Sequence, residues 1–348
     1  MINNSTLRYI LGKFFKMLLT IAIVTTLIFF LIRLMPSNPV ERYIEEQMIQ
    51  YGISLAEATS RESFIFSIDL NKSLFAQYLD YMSKAVRLDF GNSLLSPGVP
   101  VMAIIWQRLP WTLFTVGTGL IASFIIGVSS GTILAFKRDS WYEPIVSGIA
   151  SFLSAIPDFL IAIFLLLIFG VIQWGSTGTI LPISMLRGNY SIGVTPGFNW
   201  EFIVDAFKHG LLPILTYLIS QLGIWILLMK GSTSGVLSAD FVTMAKVRGI
   251  KPARVLTAYV GRNALLPIVT EFAMRLGFII GGSLIIEQLF VYQGIGLELL
   301  KATNGRDYPL MQGIFLIMTI AIVLSSFLAE LLYAVLDPRI KTGAGQGR

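Results

Sequence analysis

The sequence predicts an all-α membrane protein that crosses the bilayer on six helices, with both termini in the cytoplasm. Three observations carry this. The 348 residues are 55% hydrophobic and only 13% charged, with a mean hydropathy of +0.74, whereas soluble domains carry about 25% charged residues. Six apolar runs are each long enough to cross a hydrocarbon core, which takes about 20 residues. Basic residues crowd the loops of one side, as they do on cytoplasmic faces. Too few charges remain to build a soluble enzyme or a nucleic-acid binder. With no cysteine and one histidine, His209, the chain offers no disulfide, thiolate or multi-histidine metal site, and no cofactor is expected in it.

Residues 1–36 form a cytoplasmic N-terminus and a first span, Met17 to Met35. Arg8, Lys13 and Lys16 precede that run as in a signal peptide, but no small-residue cleavage site follows Pro36, so the segment reads as a retained span. Residues 37–110 form an outer cap, made partly helical by the spacing of Leu74, Tyr78, Leu79, Met82 and Val86. A loop of this length is more often functional than idle. Residues 111–336 hold the other five spans: Trp111 to Phe136, Ile145 to Trp174, Leu211 to Met229, Ile268 to Val291 and Leu310 to Leu336. Their apolar runs are continuous, unlike the alternating strands of a barrel. This orientation gathers 14 basic against 4 acidic residues on the cytoplasmic side, which accounts for the basic balance without a nucleic-acid partner. Residues 337–348 are a cytoplasmic tail.

The largest cytoplasmic piece, 231–267, predicts two short helices bent at Gly249. Ser238 is placed as the cap of the first, Asp240 in its first turn and Lys246 with Arg248 in its last, each charge matching the helix dipole. The second opens at Pro252 and runs to Pro267. Leu237, Phe241, Met244 and Ala245 form an apolar stripe on the first helix. Either that stripe packs on the ends of its own spans or it fills a groove in another protein.

Ala245-Lys246-Val247-Arg248-Gly249, followed by Arg262-Asn263-Ala264-Leu265-Leu266-Pro267, resembles the EAA loop of type I ABC importer permeases, in the form used by the dipeptide and oligopeptide family. Asp89-Phe90-Gly91-Asn92-Ser93, Arg108 to Leu113, His209 to Pro213, Arg306-Asp307-Tyr308-Pro309 with Gln312-Gly313, and Asp337-Pro338-Arg339 extend the resemblance over nearly the whole chain. The long outer loop is similar to that of the first of the family's two permease subunits. One departure is that Thr243-Met244 stands where the loop's Glu-Ala would be. The resemblance implies a multi-pass permease of a prokaryotic cytoplasmic membrane. Its implied partners are a homologous permease subunit, two ATPase subunits holding ATP and Mg, and an extracytoplasmic binding protein. It also implies that Leu237, Asp240, Phe241, Met244, Ala245, Lys246, Arg248 and Gly249 form the coupling helix that seats in an ATPase. No phosphate-binding G-x-x-x-x-G-K-[ST] occurs in this chain, so ATP hydrolysis falls to the partners. Dipeptides or oligopeptides are the expected solutes, with oligosaccharides or nickel as alternatives.

Ionisable residues inside spans are costly, and so they are functional candidates. Glu271 and Arg275 lie four apart on the fifth span, where they can neutralise each other. Arg275 also lies at a depth matching Glu330 of the sixth span. A structural or gating pair is favoured over a solute contact. Asp158, after Pro157, either faces a watery path or bonds backbone freed by the proline. Glu287 is placed near the outer headgroups. Two other classes fit less well. An intramembrane serine protease would use His209 and Ser283, but Leu284 replaces the second glycine of its motif. An ion-coupled secondary transporter often shows inverted repeats, and none is found here.

Overall fold

The computed structural model describes residues 4–34, 73–172, 180–182, 185–282 and 284–336, with short pieces at 48–49, 51–52 and 54. Most of the first half of the outer loop, Ser283, the Asp337-Pro338-Arg339 motif and the C-terminal tail lie outside the described residues. Every regular element described is helical. They run α1 (Asn4–Leu34), α2 (Leu74–Val86), α3 (Val101–Phe136), α4 (Glu143–Ala155), α5 (Asp158–Leu166), α6 (Trp200–Leu237), α7 (Asp240–Val247), α8 (Arg262–Gly282), α9 (Leu284–Leu289), α10 (Ile295–Asn304) and α11 (Tyr308–Leu336).

Four of these, α1, α3, α6 and α11, are long and apolar enough to cross a membrane, and the pair α4 and α5 makes a fifth if counted together. That pair corrects the continuous third span. It bends by 98°, because Pro157 has no amide hydrogen and forces Ile156 into an extended conformation at φ −81°, ψ 126°. The fifth run is described as α8 up to Gly282, carrying Arg262, Glu271 and Arg275, and as α9 from Leu284, with Ser283 between them outside the described residues. The fourth run is longer than its apolar core. Asn199 caps α6 by accepting the Phe202 amide at 2.7 Å, adding eleven residues before Leu211.

The long helices α3 and α6 pack along most of their lengths, with α4 on α6 and α8 on α11. Gly119 allows the first crossing: a Cβ there would sit 2.6 Å from Tyr217 Cβ and 2.8 Å from the Ile214 carbonyl. Helices in lipid gain little from burying apolar surface, so close backbone approach at small residues supplies the packing. α2 forms as expected, but its spacing serves two faces. Tyr78 meets Phe29 of α1 edge-on and Tyr81 lies tilted against it, whereas Leu74, Leu79 and Val86 are exposed.

Candidate functional site

Two groups of residues carry chemistry beyond packing: the short helix α7 at one end of the bundle, and a polar cluster in its middle.

Helix α7 is delimited by its own sequence. Asp240 occupies the first turn, where the unpaired amides favour an anion, and Lys246 the last. At the other end Gly249 adopts φ +68°. Its amide donates to the Lys246 carbonyl at 3.0 Å, and that of Ile250 donates to the Ala245 carbonyl at 3.2 Å. These are the two bonds of a Schellman cap, which a residue without Cβ accommodates at least cost. The expected cap at Ser238 is corrected: Ala239 occupies the N-cap without a side-chain bond, and the Ser238 hydroxyl donates backward to the Gly235 carbonyl at 2.8 Å. The second helix is also different. Pro252–Arg254 opens a wide turn, Val255–Gly261, that leads directly into α8, and Pro267 lies inside that helix.

The apolar stripe divides in two. Val242 and Ala245, 0% and 2% exposed, pack with Val255 and Val260, and Leu237 closes that cluster from the last turn of α6. Phe241, Met244 and Val247 point away, 45%, 54% and 78% exposed, flanked by exposed Asp240, Lys246 and Arg248. The first reading therefore holds for the inner residues, while the outer ones are left uncovered by the described residues of this chain. The helix is clamped to its own chain by one side and presents an apolar face with a basic flank on the other.

In the middle of the bundle, Arg275 donates from Nε to Glu271 Oε1 at 2.9 Å and from Nη1 to Gln221 Oε1 at 2.9 Å. Its guanidinium also lies over the Trp225 ring, 5.5 Å from the centroid. Asp158 joins this cluster, with Ser220 and Arg275 as its electrostatic neighbours. Glu330 does not: it takes Lys13 Nζ at 2.8 Å, so the Arg275–Glu330 alternative is set aside.

At the end opposite α7, acids tie distant segments together. Glu287 is buried rather than at the headgroups. It accepts the Thr112 hydroxyl at 2.6 Å and the Leu297 amide at 2.9 Å, because the turn after α9 folds α10 back over it. Asp307, fully buried, accepts the Ser93 hydroxyl at 2.5 Å and the amides of Leu94, Leu95 and Leu310 at 2.9 to 3.1 Å. Two motifs separated by 214 positions thus meet in one bond. Arg108 reaches Gln293 at 2.7 Å and Glu298 at 3.2 Å. His209 lies between the Ser191 hydroxyl, 3.1 Å from Nε2, and the Arg187 carbonyl, 3.2 Å from Nδ1.

Val242, Tyr217, Ser220, Gln221 and Trp225 were not singled out by sequence reasoning. The last four share one stripe of α6, and the polar tips recurring at 217, 221 and 225, four apart within an apolar run, were the available signal.

The comparisons agree in scale with this architecture. Residues 123–342 match the family described as binding-protein-dependent transport system inner membrane component. A Brucella suis protein named as a peptide permease is 31% identical over 96% of this chain and 99% of its own. The oligopeptide transport system permease protein AppB of Bacillus subtilis is 30% identical, over 91% and 94%. The dipeptide transport system permease protein DppB of the same organism is 27% identical, over 96% and 98%. A bundle of long apolar helices, the clamped helix between α6 and α8, and a family match over most of the chain lead to one statement: this protein belongs to the family of inner membrane components of binding-protein-dependent transport systems.

Proposed function

We propose that this chain is the permease subunit of an ATP-driven importer of peptides in a bacterial inner membrane, with six spans and both termini in the cytoplasm. In this reading it pairs with a homologous permease subunit, two ATPase subunits and an extracytoplasmic binding protein. The observation that carries it is α7, whose inner face is fixed to the spans while Phe241, Met244 and Val247 stand exposed. A rigidly mounted apolar face is what a motor subunit needs to grip, because force on it passes directly into α6 and α8. Thr243, in place of the family loop's glutamate, is exposed on α7, so the grip in this chain rests on apolar contact. The relatives named for peptides support the solute class.

At the other end, α6 extends eleven residues beyond Leu211, about 16 Å past the hydrocarbon edge at ~1.5 Å per residue. Ile192 and Phe198, in the loop before α6, and Trp200, at its start, stand exposed, as a landing surface for the binding protein. The test is uptake of a labelled dipeptide by the reconstituted assembly. Uptake that needs ATP and the binding protein is expected; uptake driven by an ion gradient without ATP overturns the reading.

A further inference from the structure

His209 is buried, 4% exposed, and is the chain's only histidine. It stands in a row of four polar groups. Its Nδ1 lies 3.2 Å from the Arg187 carbonyl and its Nε2 lies 3.1 Å from the Ser191 hydroxyl. That hydroxyl donates to Asp205 Oδ1 at 2.9 Å, and the Ser191 amide donates to Oδ2 at 2.6 Å. The two ends of the row, a carbonyl and a carboxylate, can only accept. Three hydrogen bonds between them therefore need three protons, whereas a neutral imidazole supplies one and the hydroxyl another. The third can sit on the ring or on the carboxyl. Asp205 already accepts an amide and a hydroxyl, which favours its ionised form, and Nε2 stands 3.8 Å from its second oxygen. The proton therefore belongs on the ring.

The segment from Arg187 to Ser191 is held on its other side by bonds that do not titrate. The Gly188 amide donates to the Val291 carbonyl at 3.2 Å, the Gln293 amide to Asn189 Oδ1 at 2.6 Å, and Asn189 Nδ2 to the Gln293 carbonyl at 3.1 Å. Tyr190 stacks on Trp111 of α3 with 5.7 Å between ring centroids. Ionisable groups on the surrounding elements are engaged elsewhere or exposed. Arg108 of α3 is held by Gln293 and by Glu298 of α10, Glu287 of α9 accepts from Thr112 and Leu297, and the side chains of Lys208 and Arg187 are exposed.

We infer that His209, as an imidazolium bridging Arg187 to Ser191 and Asp205, is a proton-dependent latch that fastens this segment to α6 across the end of the bundle opposite α7. The latch is complete at low pH. As the pH rises and the ring loses its second proton, one of the three bonds is lost and two lone pairs are left facing each other. The tether to the turn after α9 is unchanged, so the segment loosens on its α6 side alone. The latch stands on these bonds; that it faces the external medium rests on the importer reading above.

The test is amide hydrogen exchange of residues 187–192 in the full-length chain in lipid nanodiscs, over about pH 5 to 8, where histidine ordinarily changes charge. Rates are corrected for the intrinsic pH dependence of exchange. A step to about tenfold faster exchange is expected as the pH rises, the effect of losing one buried hydrogen bond. His209→Gln, with no proton to lose, should show no step. Asp205→Asn separates the latch from a plain ion pair, which it would break. Its side-chain amide supplies the third proton itself, so the segment should stay slow to exchange at every pH. With histidine 15N-labelled, the single imidazole should show two N–H nitrogens at about pH 5. No step in the native chain, a step that survives His209→Gln, fast exchange of Asp205→Asn at every pH, or one N–H nitrogen at the acid end overturns the inference. Because exchange is read without ATP, solute or partners, a chain that behaves as expected here but imports no dipeptide in the assembly strikes the importer reading alone.

Discussion

Replacing Phe241 and Met244 together by aspartate separates the two faces of α7. Complete burial of either side chain contributes about 1.5 to 3 kcal/mol. With 45% and 54% of them still exposed, a partner groove gains about 1 kcal/mol from each. The aspartates lose that gain and add two carboxylates to an apolar contact, at about 1 to 3 kcal/mol apiece. The sum is about 4 to 8 kcal/mol, or about a thousandfold and upward in dissociation constant. The fold should barely respond, since exposed substitutions usually stay within about 0.5 kcal/mol. Val242→Asp is the counterpart on the inner face. It buries an unpaired carboxylate among Ala245, Val255 and Val260, so it should lower the amount of folded permease itself. The assay is co-purification of the ATPase subunits on a tagged permease, with membrane insertion followed by immunoblot. Normal insertion with the ATPases lost is expected for the outer pair. Full retention of the ATPases by the double variant refutes the coupling role of this face.

Asp307→Ala removes the acceptor of one hydroxyl and three amides; a loss of about 3 kcal/mol should appear as a lower melting temperature in detergent and as new protease cleavage between 92 and 98. Gly119→Val places side-chain atoms where Tyr217 Cβ and the Ile214 carbonyl already stand. It should cost about 1 to 3 kcal/mol or more through overpacking, read by thermal unfolding, with Gly119→Ala intermediate. Burial pushes the Tyr81 phenol of α2 up to about 12, from an ordinary 10.0. A raised folded value means that its contribution is complete below pH 10 and disappears as the pH rises through about 12. Alkaline titration should therefore show a late phenolate absorbance accompanied by loosening of α2. Tyr81→Phe, which removes a hydroxyl without a partner among the described residues, should abolish that late step.

The sequence by itself determined whatever is settled within a few turns of chain. Apolar runs specify helices suited to lipid, and the pairing of Glu271 with Arg275 follows from residues four apart on one helix. Asp240 and Gly249 bound α7 because caps and dipoles are properties of a helix end. Even the bend in the third span was written in Pro157, though its 98° was not anticipated. Tertiary structure decided the rest. Glu287 and Glu330 look alike in sequence, yet one is sealed under α10 by Thr112 and the other takes Lys13 from α1. Periodicity could mark the apolar residues of α7 but not say that Val242 and Ala245 turn inward while Phe241 and Met244 turn out. That choice depends on where the end of α6 and the turn before α8 lie in space, a matter of packing between segments that local spacing does not encode. For the same reason, Asp158 acquired its neighbours only once α5, α6 and α8 had been brought to one depth.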